Sequence, residues 1–155
     1  MANPLKELPL KFQTFQTIQE IQIAAPPEKV WKAVTNPSSW FGFDADKANW
    51  PKSTLELTPG GRWFLENKDG GFQFMGNVVH MEPNKLLRIH GPIAQTHIPV
   101  IHATIFELQP AKDGKGTLLR FGQRSMGYLL DDIQKGMNEG WSKLFANLKA
   151  AAEAA

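Results

Sequence analysis

Apolar and polar residues alternate in short runs along most of this chain, a pattern typical of β-strands with one buried face. The first run extends from Phe12 to Ile23, where the apolar spacing is irregular at first and alternates towards the end. We therefore predict a long first strand, with a β-bulge near Phe15–Gln19 where the alternation fails.

Two proline-based signals follow this strand directly. Pro27 suits the first position of a helix, because its missing N–H has no partner there and its fixed φ is helical. Glu28 places a negative charge at the same helix N-terminus, where the helix dipole favours it. Asn36 and Pro37 repeat the pattern, with Asn36 as the capping residue. The sequence therefore predicts two short helices immediately after strand one.

The middle of the chain predicts a meander of six further strands. Glycine, proline and asparagine signals separate them at even spacing, which favours antiparallel pairing between neighbours in sequence. The predicted strands are, in order, Leu55–Leu57, Arg62–Glu66, Phe72–Met81, Leu86–His90, His102–Leu108 and Thr117–Arg124.

The C-terminal part predicts one long amphipathic helix, from about Asp131 to Ala154. Apolar residues recur there every three or four positions and would face the sheet; they are Ile133, Met137, Trp141, Leu144 and Leu148. Gly136 and Gly140 interrupt the helix, and each costs about 1 kcal/mol relative to alanine in a helix interior. We interpret the two glycines as making room beside the helix. Close packing of the helix against the sheet is favoured, and space for a ligand is the alternative.

This order of elements predicts an α+β fold in which a curved antiparallel sheet of six to seven strands wraps around the long C-terminal helix. We expect a single domain over residues 12–155, preceded by an N-terminal arm over residues 1–11. Because such a sheet cannot close completely on one helix, we expect a cavity between them. Its walls would be the Met137–Trp141 part of the helix and the strand residues Trp63, Phe106 and Phe121.

Composition narrows the classes of function. The net charge is +2, from 17 Lys and Arg against 15 Asp and Glu, which gives no reason to expect nucleic acid as a partner. The chain has no cysteine, and its four histidines show no metal-ligand spacing, so we predict neither a metal site nor a cofactor. No apolar run approaches the length that spans a bilayer, so we expect no membrane insertion and a cytoplasmic protein.

Several segments together resemble one known superfamily. They are Ile21–Ala33, Pro59–Trp63, Gly76–Val78 with Pro83, Thr104–Pro110, Gly116–Leu119, and Gly140, Trp141, Leu144 and Leu148. Their order and spacing resemble the SRPBCC superfamily, which includes START lipid-transfer domains, the birch-pollen allergen and aromatic polyketide cyclases. The chain is most similar to bacterial relatives of the C-terminal domain of the activator of the ninety-kilodalton heat-shock protein's ATPase. The resemblance implies the helix-grip fold.

The resemblance also implies which strand residues point inward. In its register the ligand-binding candidates are Trp63, Phe74, Arg88, His90, His102, Thr104, Phe106, Phe121 and Gln123 from strands, and Met137 and Trp141 from the helix. These residues would form a mostly apolar cavity with a few polar groups, which is the usual form of a small-molecule site. For Phe106, Phe121 and Trp141 a role in the core is favoured over ligand contact. The outer face is an equal alternative for Arg88, and exposed positions at strand ends are slightly favoured for His90 and His102.

The main functional expectation is therefore the binding of a small hydrophobic or amphipathic molecule. The first alternative is a cofactor-free cyclase- or hydrolase-type enzyme acting on a polyketide-like or aromatic substrate, with Arg88, His90 and His102 as catalytic candidates. The second alternative is a protein-interaction module like the heat-shock ATPase activator. Whether the protein is an enzyme stays open at this point, and so does a homodimer.

The mouth of the expected cavity is assigned to three connecting segments. The longest strand connection is Gly91–Pro99, and Trp40–Phe43 and Gly127–Tyr128 would lie beside it. Connections of this length in a compact domain are often functional.

Overall fold

The computed structural model describes residues 5–42 and 44–154. Its seven strands are β1 (Lys11–Ile23), β2 (Lys52–Leu55), β3 (Arg62–Glu66), β4 (Phe72–Glu82), β5 (Leu86–Gly91), β6 (Val100–Pro110) and β7 (Thr117–Leu129). Its α-helices are α1 (Pro27–Val34), α2 (Asp44–Asn49) and α3 (Ile133–Ala154), and a 3₁₀ turn spans Pro37–Ser39. The predicted α+β helix-grip architecture is confirmed.

The strands form one antiparallel sheet in the order β1-β7-β6-β5-β4-β3-β2. β1 and β7 pair without interruption from Lys11 opposite Leu129 to Ile23 opposite Thr117, so the bulge predicted in β1 is wrong. The register instead shifts at Trp63–Phe64 between β3 and β4, and between Val78 and His80 in the pairing of β4 with β5. Irregularities of this kind increase the local twist and curvature of a sheet.

Helix α3 covers the free edge of β1. Gln134 Nε2 donates to the Gln16 carbonyl at 3.0 Å, and Lys149 Nζ donates to the Gln22 carbonyl at 2.7 Å. Gln19 Nε2 donates to the Asn138 carbonyl at 2.9 Å, so the contact runs in both directions. An uncovered edge strand of this length would be a site for pairing with other chains. The polar face of α3 therefore satisfies backbone groups that β1 cannot satisfy within the sheet.

The short helices begin where the prolines predict. Pro27 starts α1 with Glu28 in its first turn, which confirms that signal. Pro37 likewise opens the 3₁₀ turn, but the side chain of Asn36 makes no capping hydrogen bond there. The third element, α2, had no clear sequence signal.

An aromatic cluster fills the space between sheet and helix; it consists of Trp40, Phe106, Phe121, Trp141 and Phe145. Ring centroids of Phe121 and Trp141 are 4.5 Å apart, and those of Trp141 and Phe145 are 5.5 Å apart in a stacked arrangement. The void left between Trp40, Trp63 and Phe106 is about 10 Å³, which is at the lower limit for a single water. The enclosed cavity predicted between Trp63, Phe106, Phe121 and the helix is therefore wrong, because Trp40 packs into that space.

The two glycines of α3 do not mark close packing. A Cβ atom added at Gly136 or Gly140 would meet no heavy atom within 4 Å apart from its own neighbouring backbone. The favoured interpretation, close approach of helix and sheet, is therefore wrong, and only the alternative of open space remains.

Replacing either glycine by alanine should stabilise the protein. Gly140→Ala should raise the free energy of unfolding by up to about 1 kcal/mol, because alanine has the higher helix propensity and the site is open. Gly136→Ala should act in the same direction. Thermal unfolding measures the effect as a rise of about 2–4 °C in Tm. A lower Tm in either variant would show that the helix needs glycine for a reason other than space.

Candidate functional site

The inner face of the sheet changes character along its length. At the end where α3 finishes it is largely aliphatic, with Ile23, Leu87, Leu108 and Leu119 in one cluster with Leu148. The buried Thr117 hydroxyl at this end donates to the Ala25 carbonyl at 2.7 Å. At the end where α3 begins it carries five buried polar side chains, here called the polar row: Thr17, His102, Thr104, Gln123 and Ser125. Burying polar groups costs free energy unless they are hydrogen-bonded. The polar row is therefore the unusual feature of this core.

His102 lies at the centre of the polar row and is fully buried. Its Nε2 lies 2.7 Å from Gln95 Oε1, and its Nδ1 lies 2.7 Å from Ser125 Oγ. With the Gln95 amide in this orientation its oxygen faces the ring and can only accept, so Nε2 carries the ring proton. Nδ1 then accepts the hydroxyl hydrogen of Ser125. Both ring nitrogens are thus satisfied with His102 in its neutral form.

A second hydrogen-bonded chain joins the sheet to the helix. Trp141 Nε1 donates to Gln123 Oε1 at 3.0 Å, and Gln123 Nε2 donates to Thr104 Oγ1 at 3.0 Å. Thr17 faces the same interior from β1, opposite Gln123, but its buried hydroxyl oxygen has no hydrogen-bond partner. Such an unpaired group typically costs about 1–3 kcal/mol.

The polar row carries no formal charge at neutral pH. Among the residues that the structure describes, none of the buried side chains belongs to Asp, Glu, Lys or Arg. Burial lowers the pKa of His102 from 6.5 to about 4, because the imidazolium ion would lose its hydration. The interior therefore offers neutral donors and acceptors only.

The loop between β5 and β6 brings Gln95 over His102. Gly91 lies directly opposite His102 in the sheet, and a Cβ atom there would approach Gly76 Cα to 2.4 Å. Ile93 and Ala94 then adopt left-handed backbone conformations, with φ of 45° and 63°. Such conformations cost energy in residues with a Cβ atom and often accompany functional sites. The loop is held down by hydrogen bonds from these two residues to β4.

A groove opens beside this loop and is here called the mouth groove. It has a volume of about 160 Å³ and is lined by Phe41, Ile93, Gln95, Met137, Gly140, Trp141 and Leu144. Gln95 and Trp141 belong both to the groove and to the hydrogen-bonded chains of the polar row. The groove therefore presents an apolar surface to solvent and leads to neutral polar groups behind it.

Most of the side chains expected to point inward do so. Trp63, His102, Thr104, Phe106, Phe121, Gln123 and Trp141 are all buried. Met137 is half-buried and lines the mouth groove. The structure brings His102, Thr104, Gln123 and Trp141 together in the two hydrogen-bonded chains, whereas Trp63, Phe106 and Phe121 belong to the hydrophobic core.

Three side chains expected inside lie on the outer face. Arg88 and His90 are exposed, and Arg88 Nη1 contacts His80 Nδ1 at 3.2 Å on that face. Their neighbours Leu87 and Ile89 are each 1% exposed and fill the core instead. Phe74 pairs with Phe64 on the outer face and is half-buried. The register taken from the resemblance was wrong in β5, because it placed a charged residue in the core and leucine and isoleucine outside.

Two residues that lie within hydrogen-bond distance of His102 were missed, and so was Thr17 of the polar row. Ser125 continues the alternation of Phe121 and Gln123, but the predicted strand ended at Arg124, whereas β7 continues to Leu129. A longer strand would have placed Ser125 inside. Gln95 lies in a loop, where no periodic signal reveals which way a side chain points.

The expected mouth is correct in part. Phe41 and Ile93 line the groove, in agreement with the segments Trp40–Phe43 and Gly91–Pro99, although Phe43 itself lies outside the described residues. Tyr128 instead lies on the outer face, half-exposed, with its ring 5.7 Å from that of Phe12. Gly127–Tyr128 is therefore not part of the groove.

Comparison with known proteins identifies the family. The family model described as Activator of Hsp90 ATPase homolog 1-like protein matches residues 24–153, which is most of the chain. The chain belongs to this family. The predicted membership of the SRPBCC superfamily is thereby confirmed. Comparison with functionally curated proteins finds no match.

Solved structures show the same fold. A protein from Mesorhizobium loti is 26% identical, with a TM-score of 0.64 over 88% of this chain and 96% of its own. A protein from Rhizobium leguminosarum is 17% identical, with a TM-score of 0.70 over 94% of this chain and 99% of its own. DynU16, from the dynemicin biosynthetic locus, is 21% identical, with a TM-score of 0.63 over 87% of this chain and 46% of its own. The last two likenesses concern the fold alone.

No helix in the described part of the chain is long and apolar enough to cross a membrane. No group of three or more His, Asp or Glu side chains in that part of the chain lies close enough to hold a metal ion.

The buried His102 makes stability depend on pH. Between pH 6.5 and about 4 the unfolded chain binds a proton that the folded protein excludes, so stability falls as pH decreases through this window. The full loss should approach about 3 kcal/mol, at about 1.4 kcal/mol for each pH unit. Urea unfolding at a series of pH values measures it.

The matched control for this prediction is His102→Gln, which cannot titrate. Its stability should vary less than that of the wild type between pH 6.5 and about 5. The carboxyl groups of Glu56 and Glu153 have lowered pKa values, so their contributions are lost at lower pH. Equal slopes for both proteins would show that folding does not lower the pKa of His102.

Proposed function

We propose that this protein binds a small apolar or amphipathic molecule in the mouth groove. The observation that carries the proposal is the position of the polar row, whose members His102 and Gln123 connect through Gln95 and Trp141 to the lining of an open apolar groove. Neutral polar groups are costly inside a core unless they are hydrogen-bonded, and the Thr17 hydroxyl has no partner there. A few polar groups behind an apolar surface are the usual arrangement for holding and orienting a ligand.

The size of the groove limits the ligand. The interior void is about 10 Å³, so the deep cavity first expected cannot hold a molecule in this conformation. The mouth groove, at about 160 Å³, is smaller than the roughly 300–1,000 Å³ typical of drug-sized ligands. We therefore propose that the ligand places an apolar group of about the size of one ring in the groove. If the ligand has a polar end, that end points towards Gln95.

The enzyme alternative receives weaker support. Arg88 and His90 lie outside, so only His102 remains of the three catalytic candidates. Ser125 Oγ donates to His102 Nδ1, which is the contact through which a base would accept a proton from a nucleophile. However, burial holds the pKa of His102 at about 4, so it is a weak base at neutral pH. Binding therefore accounts for the site better than cyclase or hydrolase chemistry.

The protein-interaction alternative rests on different features. The family is described by its likeness to an activator of the Hsp90 ATPase, and the filled interior agrees with a module that acts through its surface. The mouth groove and the polar row have no evident part in such a role. The cytoplasmic location and a homodimer remain predictions.

Filling the groove should abolish ligand binding. Gly140→Leu places an apolar side chain in the groove, where a Cβ atom meets open space, so the fold should persist. The apolar probe N-phenyl-1-naphthylamine should bind the wild type with an increase in fluorescence, and Gly140→Leu should weaken it by about tenfold or more. A tenfold loss corresponds to about 1.4 kcal/mol, less than the burial of one aromatic ring contributes.

The matched control is Gly136→Leu. It lies one turn earlier on the same helix, is equally open, and does not line the groove. It should bind the probe as the wild type does. Equal binding by all three proteins, or none by the wild type, would contradict the proposal and favour the interaction module.

A further inference from the structure

We propose that the ligand of the mouth groove is an uncharged molecule with a carbonyl-type hydrogen-bond acceptor, and that this acceptor replaces Gln95 Oε1 on the Nε2–H group of His102. This inference rests on the proposed function and names the chemical class of its ligand. In the free protein, the amide of Gln95 would then occupy the place of the ligand's polar end.

The position of Gln95 is the first support. Its side chain is half-buried, lines the mouth groove, and reaches His102 from the loop between β5 and β6. His102 itself is fully buried and comes from the rigid centre of the sheet. Gln95 therefore contacts both the groove and the imidazole. A ligand that enters the groove on this side meets Gln95 first and His102 behind it.

Because Nε2 of His102 carries the proton, the ligand must accept a hydrogen bond from it. Ser125 Oγ occupies Nδ1, 2.7 Å away, and the amide oxygen of Gln95 occupies Nε2 at the same distance. When Gln95 withdraws, a buried N–H group loses its partner, and a buried unpaired donor is costly. A ketone, ester or amide oxygen replaces that partner directly. A ligand that has only donors, or only hydrocarbon, does not.

The absence of charge decides that the ligand is neutral. No Lys, Arg, Asp or Glu side chain is buried among the residues that the structure describes. A carboxylate placed against His102 would therefore lose its hydration without gaining an ion pair. An ammonium group would also lose its hydration without gaining an ion pair. In addition, its N–H groups and the Nε2–H group of His102 are all donors, so they cannot bond to each other. The site should therefore discriminate against fatty acids and other charged amphiphiles.

The backbone of the loop supports the exchange of one acceptor for another. Ile93 and Ala94 hold left-handed conformations directly before Gln95. Ile93 N and Ala94 N are fixed to the Met75 and Phe74 carbonyls, at 2.8 and 3.3 Å. The strained turn is therefore anchored at its base, and the Gln95 side chain can leave His102 by rotating about its own bonds. Strain of this kind is typical of segments with a functional role.

Three probes built on the same naphthalene ring test the inference: 2-ethylnaphthalene, 2-acetylnaphthalene and 2-naphthoate. They differ only in carrying a hydrocarbon, a ketone or a carboxylate at one position. In the wild type the ketone and the hydrocarbon should bind within a few-fold of each other, because the ketone gains the contact that Gln95 gives up. The carboxylate should bind at least about tenfold more weakly than the ketone.

The decisive variant is Gln95→Ala. It leaves Nε2–H of His102 without its protein partner, so the preference for the ketone over the hydrocarbon should rise by about five- to tenfold, the usual worth of one hydrogen bond. Thr96→Ala is the matched control, since Thr96 is the exposed next residue of the same loop. Its preference should equal that of the wild type. Adding His102→Phe to Gln95→Ala should remove the preference, provided that circular dichroism shows the double variant to be folded.

The outcomes separate the two proposals. If ethylnaphthalene and acetylnaphthalene bind, Gly140→Leu blocks them, and Gln95→Ala leaves their ratio unchanged, the ligand class is wrong while the groove remains a binding site. Naphthoate binding as tightly as the ketone would overturn the neutral-ligand inference in the same way. If no probe binds to the wild type or to Gln95→Ala, both the class and the proposed function are wrong.

Discussion

The packing of α3 into the concave face of the sheet is the interaction on which the rest of this structure depends. Trp141 and Phe145 stack on one another, and the ring of Phe121 lies 4.5 and 4.8 Å from theirs. Aromatic rings contribute large buried areas and prefer the edge-on and offset geometries found here. The same helix also seals the edge of β1 with its polar side chains. Without α3 the sheet would have an exposed apolar face and an open edge.

Trp141 joins this hydrophobic core to the polar row. Its ring belongs to the aromatic cluster, while its indole N–H donates to Gln123. The core is consequently divided along the sheet, with an aliphatic half around Leu148 and a polar half around His102. The polar half is neutral because desolvation keeps His102 unprotonated. The protein thus maintains hydrogen-bonded neutral groups inside its core, and Gln95 and Trp141 connect them to the mouth groove.

The sequence alone determined the architecture. Alternation in the strands, the prolines at Pro27 and Pro37, and the three-to-four spacing in α3 are local properties, and each was sufficient to place its element. The register taken from the resemblance placed His102, Thr104 and Gln123 inside, and the alternating burial along β6 and β7 agrees with it. In β5 the local pattern was also sufficient: Leu87 and Ile89 alternate with Arg88 and His90, and burial follows hydrophobicity. The error there came from replacing the pattern with a register taken from relatives.

The tertiary structure decided what occupies the interior. Whether a curved sheet encloses a cavity depends on the volume of the side chains that other segments place in it. Trp40, which follows α1 and the 3₁₀ turn, packs into this space. Gln95 reaches His102 only because Gly91, Ile93 and Ala94 turn the loop inward, and no periodicity specifies a loop's direction. The openness around Gly136 and Gly140 likewise depends on where the sheet ends relative to α3. Periodicity fixes which face of an element is buried, whereas packing between distant segments fixes how much space remains beside it.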